Sequence, residues 1–152
     1  MKKHDFSKPL CRLVMAVAMM MLSLQAMAFS YTYQGKTLYY EITSDNTVKV
    51  TNCYYDVLAF NDYVNGDVVI PNSVEYNGVT YSVTSIGETA FYGCSGLTSV
   101  SIPNSVTSIG WAAFWVCSGL SSINVASGNT HYSSIDGVLY NYVQDTLIQC
   151  PG

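Results

Sequence analysis

Positive charge is scarce in this chain: of 152 residues only six are Lys or Arg, and four of these, Lys2, Lys3, Lys8 and Arg12, lie within the first 28. The remainder holds Lys36 and Lys49 against nine acids, a net of −7. Two cations cannot neutralise a run of phosphates or grip an anionic membrane surface, which excludes nucleic-acid binding and polybasic membrane attachment. Histidine is almost missing as well, with His131 alone after residue 28. It lies near Ser133, Ser134 and Asp136, but no Gly-x-Ser-x-Gly elbow exists, and Gly93-Cys94-Ser95-Gly96 is a repeated turn. His131 is therefore read as a solvated loop residue, no catalytic residue is assigned, and the chain is expected not to be an enzyme. Phosphate-cradling glycine patterns are absent, and Cys53, Cys94, Cys117 and Cys150 form no Cys-x-x-Cys pair. Neither a cofactor nor a metal is expected.

Long apolar runs are missing too, apart from Leu13 to Leu24. That run follows the basic cluster and precedes Ala26-Met27-Ala28, the small residues of a signal-peptidase site. It is too short for a permanent span, which needs roughly 20 residues. Residues 1–28 are expected to be a signal peptide cleaved before Phe29, and the rest a secreted or surface-displayed chain. Cys11 precedes the apolar run instead of following it, which argues against a lipid anchor. Composition shifts at the same point: all six Met lie in the first 28 residues, and all thirteen Tyr and both Trp lie after them.

What is abundant is self-similarity. Val83 to Ser105, VTSIGETAFYGCSGLTSVSIPNS, is followed at once by Val106 to Gly128, VTSIGWAAFWVCSGLSSINVASG, a period of 23. Such a period marks units that bury their apolar face by stacking on one another. Leu97-x-x-Val100-x-Ile102 recurs as Leu120-x-x-Ile123-x-Val125, an alternation that turns these side chains inward and Ser99, Ser101, Ser122 and Asn124 outward from a short strand. Strands of successive units should lie parallel, about 4.8 Å apart, so equivalent residues form ladders. Between strands, Glu88 to Cys94 and Trp111 to Cys117 are expected to form about two helical turns. Val68 to Val74 repeats the strand-and-turn segment, but nine residues are inserted before Val83, among them Asn77-Gly78 between β-formers, which predicts a hairpin. Phe29 to Val50 also alternates, with turns at Gln34-Gly35 and Asp45-Asn46.

The run IPNSVTSIG, the AF-x-x-C-SGL segment and the later DGVLYN with LIQCP resemble the BspA-like leucine-rich repeat proteins. The resemblance covers roughly Asp67 to Gly152, and more loosely the Tyr-rich start, where SDNTVKVT and GDVVIPNSVEYNGVTYSVTSIG resemble the entry segment of the same family. It implies a bacterial secreted or cell-surface protein of a family associated with adhesion to host proteins and other cells. The expected fold is a short, strand-rich α/β leucine-rich repeat solenoid of about three turns: a β-rich N-terminal cap over 29–66, and repeats over 67–152. Ile135 to Asn141 and Thr146 to Cys150 should pair as a C-terminal hairpin. No polar closing unit follows, and the chain is expected to be a truncated or fragmentary piece.

Two readings of the cysteines stand. Cys94 and Cys117 occupy one repeat position and fit buried thiols; if bridged, they are the pair that adjacent units would bring together. Pairing Cys53 with Cys150 would require the two ends of the chain to meet. Phe91 and Phe114 are expected in the core, with Tyr92 and Trp115 facing away from it as an exposed ladder, and Trp111 standing where Glu88 stands one unit earlier. Candidate partner-binding residues are thus Ser99, Ser101, Ser122 and Asn124 on the strands, and Tyr92, Trp111 and Trp115 on the return path. The partner is expected to be an extracellular protein. The alternatives are a carbohydrate, and a structural spacer that self-associates through an open repeat end.

Overall fold

The computed structural model describes residues 28–52 and 64–151. Residues 1–27 of the expected signal peptide and Cys53 lie outside the described residues. Three antiparallel strands open the fold: β1 (Ala28–Tyr33), β2 (Lys36–Ser44) and β3 (Thr47–Thr51). Their turns fall at Gln34-Gly35, both left-handed, and at Asp45-Asn46, as the sequence predicts. One face of this meander is apolar, and Phe29, Leu38, Tyr40, Val48 and Val50 are buried.

After β4 (Gly66–Val69), the inserted segment forms the expected hairpin of β5 (Ser73–Tyr76) and β6 (Val79–Ile86), turning at Asn77-Gly78 with both residues left-handed. There follow β7 (Leu97–Ile102), β8 (Ser108–Ile109) and β9 (Ser122–Val125). Two parallel ladders result. In one, β4, β7 and β9 lie side by side; in the other, β3, β6 and β8 do. Each repeat therefore supplies two strands where the spacing predicts one, since the VTSIG segment also pairs with its equivalent. Register follows the period: Ser99 faces Ser122 and Ile102 faces Val125, while Val68 faces Val100 across the nine-residue insertion.

No helix occurs among the described residues, so the α/β expectation with helical turns on the return path is corrected to a strand-and-turn fold. The reason is where the backbone donors go. Thr89, Phe91 and Gly93 donate N–H to the carbonyls of Trp111, Ala113 and Trp115 in the next rung, at 2.8 to 3.1 Å. An α-helix would direct those donors up its own axis. Left-handed residues recur at equivalent places, Thr89 with Ala112 and Gly93 with Val116, and such residues interrupt helical winding.

The core runs between the rungs as columns of like residues. Val83 and Val106, Cys94 and Cys117, Leu97 and Leu120, and Val100 and Ile123 are all buried. Phe91 and Phe114 stack with centroids 5.4 Å apart and planes 6° from parallel. Backbones approach so closely at the corners that a Cβ on Gly110 would collide with the main chain of Gly87 and Glu88.

The C-terminal part is a three-stranded antiparallel meander, β10 (Tyr132–Ile135), β11 (Val138–Asn141) and β12 (Leu147–Gln149). The hairpin expected between Ile135–Asn141 and Thr146–Cys150 is corrected: β11 and β12 do pair, but Ile135 belongs to a separate strand reversed at Asp136-Gly137. This unit bonds to the outer edges of both ladders. Ile109 N–H donates to the Tyr132 hydroxyl (2.9 Å), Ile123 N–H to the Gly137 carbonyl (2.8 Å) and Val125 N–H to Ser134 Oγ (2.9 Å). Asn129, only 2% exposed, fastens it in place: its amide nitrogen donates to the Pro103 and Val106 carbonyls, and its oxygen accepts from His131 and Tyr132 N–H.

Two substitutions test the stacking. Gly110→Ala should destabilise the fold by about 3 kcal/mol, because its Cβ meets main chain that cannot retract. Val116→Gly should stabilise it by about 1 kcal/mol, since a β-branched residue at φ 62° gives way to the residue type that its equivalent Gly93 already has. Urea unfolding of the two variants checks both signs.

Candidate functional site

The return segment fixes which side chains face out. With alternate donors directed sideways and the others closing local turns, the inward positions are Ala90, Phe91 and Cys94 in one rung and Ala113, Phe114 and Cys117 in the next. Tyr92 and Trp115 are left outside, 42% and 55% exposed, and Trp111 is 69% exposed. The structure brings the three together. Tyr92 meets Trp115 edge to face at 5.9 Å between rungs, and Trp111 meets Trp115 at 5.7 Å along one rung. Sequence reasoning placed Tyr92 over Trp115 but did not join Trp111 to them. Trp111 and Trp115 are four residues apart, and what brings their rings together is the backbone between and beside them, left-handed at Ala112 and Val116.

The four outward strand residues fare differently. Ser99 Oγ and Thr98 Oγ1 both donate to the Asp67 carboxylate, at 2.6 and 2.7 Å, so Ser99 is engaged within the fold. Those two hydrogen bonds hold the Asp67 carboxyl below its ordinary range, Ser99 contributing most, with Lys36 adding a smaller electrostatic effect. Ser122 lies under the Asp136-Gly137 turn, in contact with Gly137. Ser101 and Asn124 are neighbours across β7 and β9, and both line an open groove of about 340 Å³ together with Tyr33, Asn72, Pro103 and Asn104. Thus Ser101 and Asn124 reach a concave surface, and Ser99 and Ser122 are tied into the framework.

His131 is exposed and its ring pairs with the Thr130 hydroxyl at 3.1 Å. The nearby hydroxyls are committed to backbone, Ser133 donating to the Asn141 carbonyl and Ser134 accepting from Val125. Cys94 and Cys117 are buried as thiols; Cys117 Sγ donates to the Phe91 carbonyl, and burial pushes its pKa up. Cys150 is exposed. Among the described residues, no three metal-ligating side chains gather.

Parallel strands stacked on a 23-residue period, with Leu97 and Leu120 buried at one position of successive rungs, define a leucine-rich repeat. Residues 72–143 match the BspA type leucine rich repeat region in six copies. Among solved structures, a leucine-rich repeat protein from Bacteroides ovatus is 32% identical, with a TM-score of 0.50 over 64% of this chain and 24% of that one. One from Bacteroides capillosus is 35% identical, with a TM-score of 0.48 over 64% of this chain and 65% of that one. A leucine rich cell surface protein from Faecalibacterium prausnitzii is 28% identical, with a TM-score of 0.49 over 67% of this chain and 24% of that one. The chain therefore spans less than two thirds of each of these relatives. No curated protein matches it.

The Asp67 geometry gives a titration test. A carboxyl whose folded pKa is lowered contributes stability above its ordinary unfolded value, and that contribution is lost as pH falls through the folded value. Ser99→Ala should raise the Asp67 pKa back toward its ordinary value in an NMR carboxyl titration. Asp67→Asn should flatten the acid limb of the stability profile and leave Asn124 in the groove undisturbed.

Proposed function

We propose that this chain is a secreted or surface-displayed, non-enzymatic module that binds an extracellular protein, organised as an N-terminal signal peptide over 1–28, a β-rich cap over 29–66 and a leucine-rich repeat solenoid over 67–152. The observation that carries the reading is the exposed cluster of Tyr92, Trp111 and Trp115 on backbone held by rung-to-rung hydrogen bonds. Large aromatic side chains on a rigid support lose little entropy on binding and are enriched among the residues that dominate protein interfaces. Support for surface display comes from the leader-like composition of the first 28 residues and from the description of the Faecalibacterium relative as a cell surface protein.

Ring geometry favours a protein over a sugar. A sugar ring lies flat on one aromatic face, whereas these neighbouring rings stand at 61° and 71° to each other and present a corrugated surface with edges and faces alternating. Such relief suits side chains seated against its exposed faces and edges.

The test is binding of the full chain to immobilised extracellular matrix proteins and, on the same plate, to complex glycans. Saturable binding to a protein, weakened about ten-fold in Trp115→Ala, is the expected result. Binding to glycans alone, or protein binding indifferent to Trp115→Ala and Trp111→Ala, would overturn it.

A further inference from the structure

The aromatic patch has four corners. Two columns of equivalent residues cross two rungs: Glu88 and Trp111 make one column, Tyr92 and Trp115 the other. Adjacency of the rungs here is direct, since Thr89 N–H donates to the Trp111 carbonyl and the Glu88 main chain abuts Gly110. Three corners are aromatic and the fourth is an exposed carboxylate. We infer that this patch holds the side chain of an Arg or Lys projecting from a basic segment of the partner protein, a deepening that rests on the protein-binding reading above.

The chemistry is complementary at each corner. Aromatic faces carry negative charge density, and rings set at steep angles to one another offer a cation both a face and a flanking wall. Glu88 supplies the ion-pairing oxygen beside them. It is the one charged side chain in the two stacked return segments, Glu88 to Cys94 and Trp111 to Cys117. The cation of the neighbouring rung is Lys49, whose stem passes Gly87, and its ammonium is already paired with Glu41 at 3.0 Å. The other cation after the leader-like segment, Lys36, donates to the Asn65 carbonyl at 2.5 Å. Nine acids against these two lysines give the chain after residue 28 a field that draws basic segments in.

Both tryptophans of the chain belong to the patch, so intrinsic fluorescence reports on it directly. The probe is an oligo-arginine peptide added to the full chain, with oligo-glutamate and oligo-serine peptides of equal length beside it. A saturable change in tryptophan emission with oligo-arginine alone is expected. It should weaken as salt rises, about three-fold in Glu88→Gln and about five-fold in Tyr92→Leu. Glu88→Gln keeps shape and size at an exposed position, so the folded state is retained for the comparison. An equal response to oligo-serine, no saturable change, or a Glu88→Gln variant that binds like the parent would overturn the inference. A second arm separates the two readings: matrix-protein binding that is lost in Trp115→Ala yet undisturbed by competing oligo-arginine sinks the cation site and leaves the protein-binding reading standing.

Discussion

Every other feature of this structure depends on one constraint, that alternate backbone groups of each rung find their hydrogen-bond partners in a neighbouring rung while those between them close local turns. A strand pair, a corner and the return path all obey it: Gly110 N–H reaches the Ile86 carbonyl, Ser121 N–H that of Thr98, and Phe91 N–H that of Ala113. Buried backbone groups must be paired, and between β7 and β9 the pairing holds register because consecutive rungs keep one length, while the longer step from β4 to β7 carries its nine extra residues in the β5–β6 hairpin. That is the physical content of the 23-residue period. Once the length is fixed, each residue faces its own equivalent across the rungs, so an inward position must accept a copy of itself. Valine on valine, phenylalanine on phenylalanine and leucine on leucine satisfy this, and glycine is required where two main chains touch.

The same constraint leaves a debt at each outer edge, where a ladder runs out of partners. The β10–β12 unit meets it by improvised chemistry. A tyrosine hydroxyl, a turn carbonyl and a serine hydroxyl stand in for the backbone of a further rung, accepting from Ile109, Ile123 and Val125. Asn129 occupies the place that Val106 holds one period earlier, and replaces an apolar contact with four hydrogen bonds to the turn behind it and the strand ahead. One buried amide thus converts a repeating position into a junction.

These facts explain what could be read from the sequence and what could not. The period, the inward column of Leu97, Val100 and Ile102, the nine-residue insertion and the Asn77-Gly78 hairpin were legible because each rests on local pattern or turn chemistry. The return path was misread as helical because Ala-Phe pairs before a cysteine satisfy helical and sideways-bonded segments alike, and only the partner rung decides between them. The parallel pairing of β3 with β6 was hidden for a related reason: their registers differ by 35 and then 36 residues, so no constant period announces it. Asp136-Gly137 was a missed signal of the same kind as Asn77-Gly78, and it alone would have divided Ile135 from β11.

For function the consequence runs the other way. Inward columns are bound by stacking and carry no choice, so any specificity must come from outward positions, where equivalents are free to differ. Glu88 and Trp111 differ in charge, size and polarity at one column position, while the neighbouring column keeps an aromatic in both rungs. Outward serines show the limit of that freedom, because Ser99 is drawn into the fold by Asp67 and Ser122 is covered by the Gly137 turn. An outward direction is thus necessary for a site but insufficient; the residue must also be left unspent by the framework. Tyr92, Trp111 and Trp115 meet that condition through their exposure. Their meeting could not be inferred from alternation, since it is made by the sideways register of two rungs together with the left-handed residues at Ala112 and Val116.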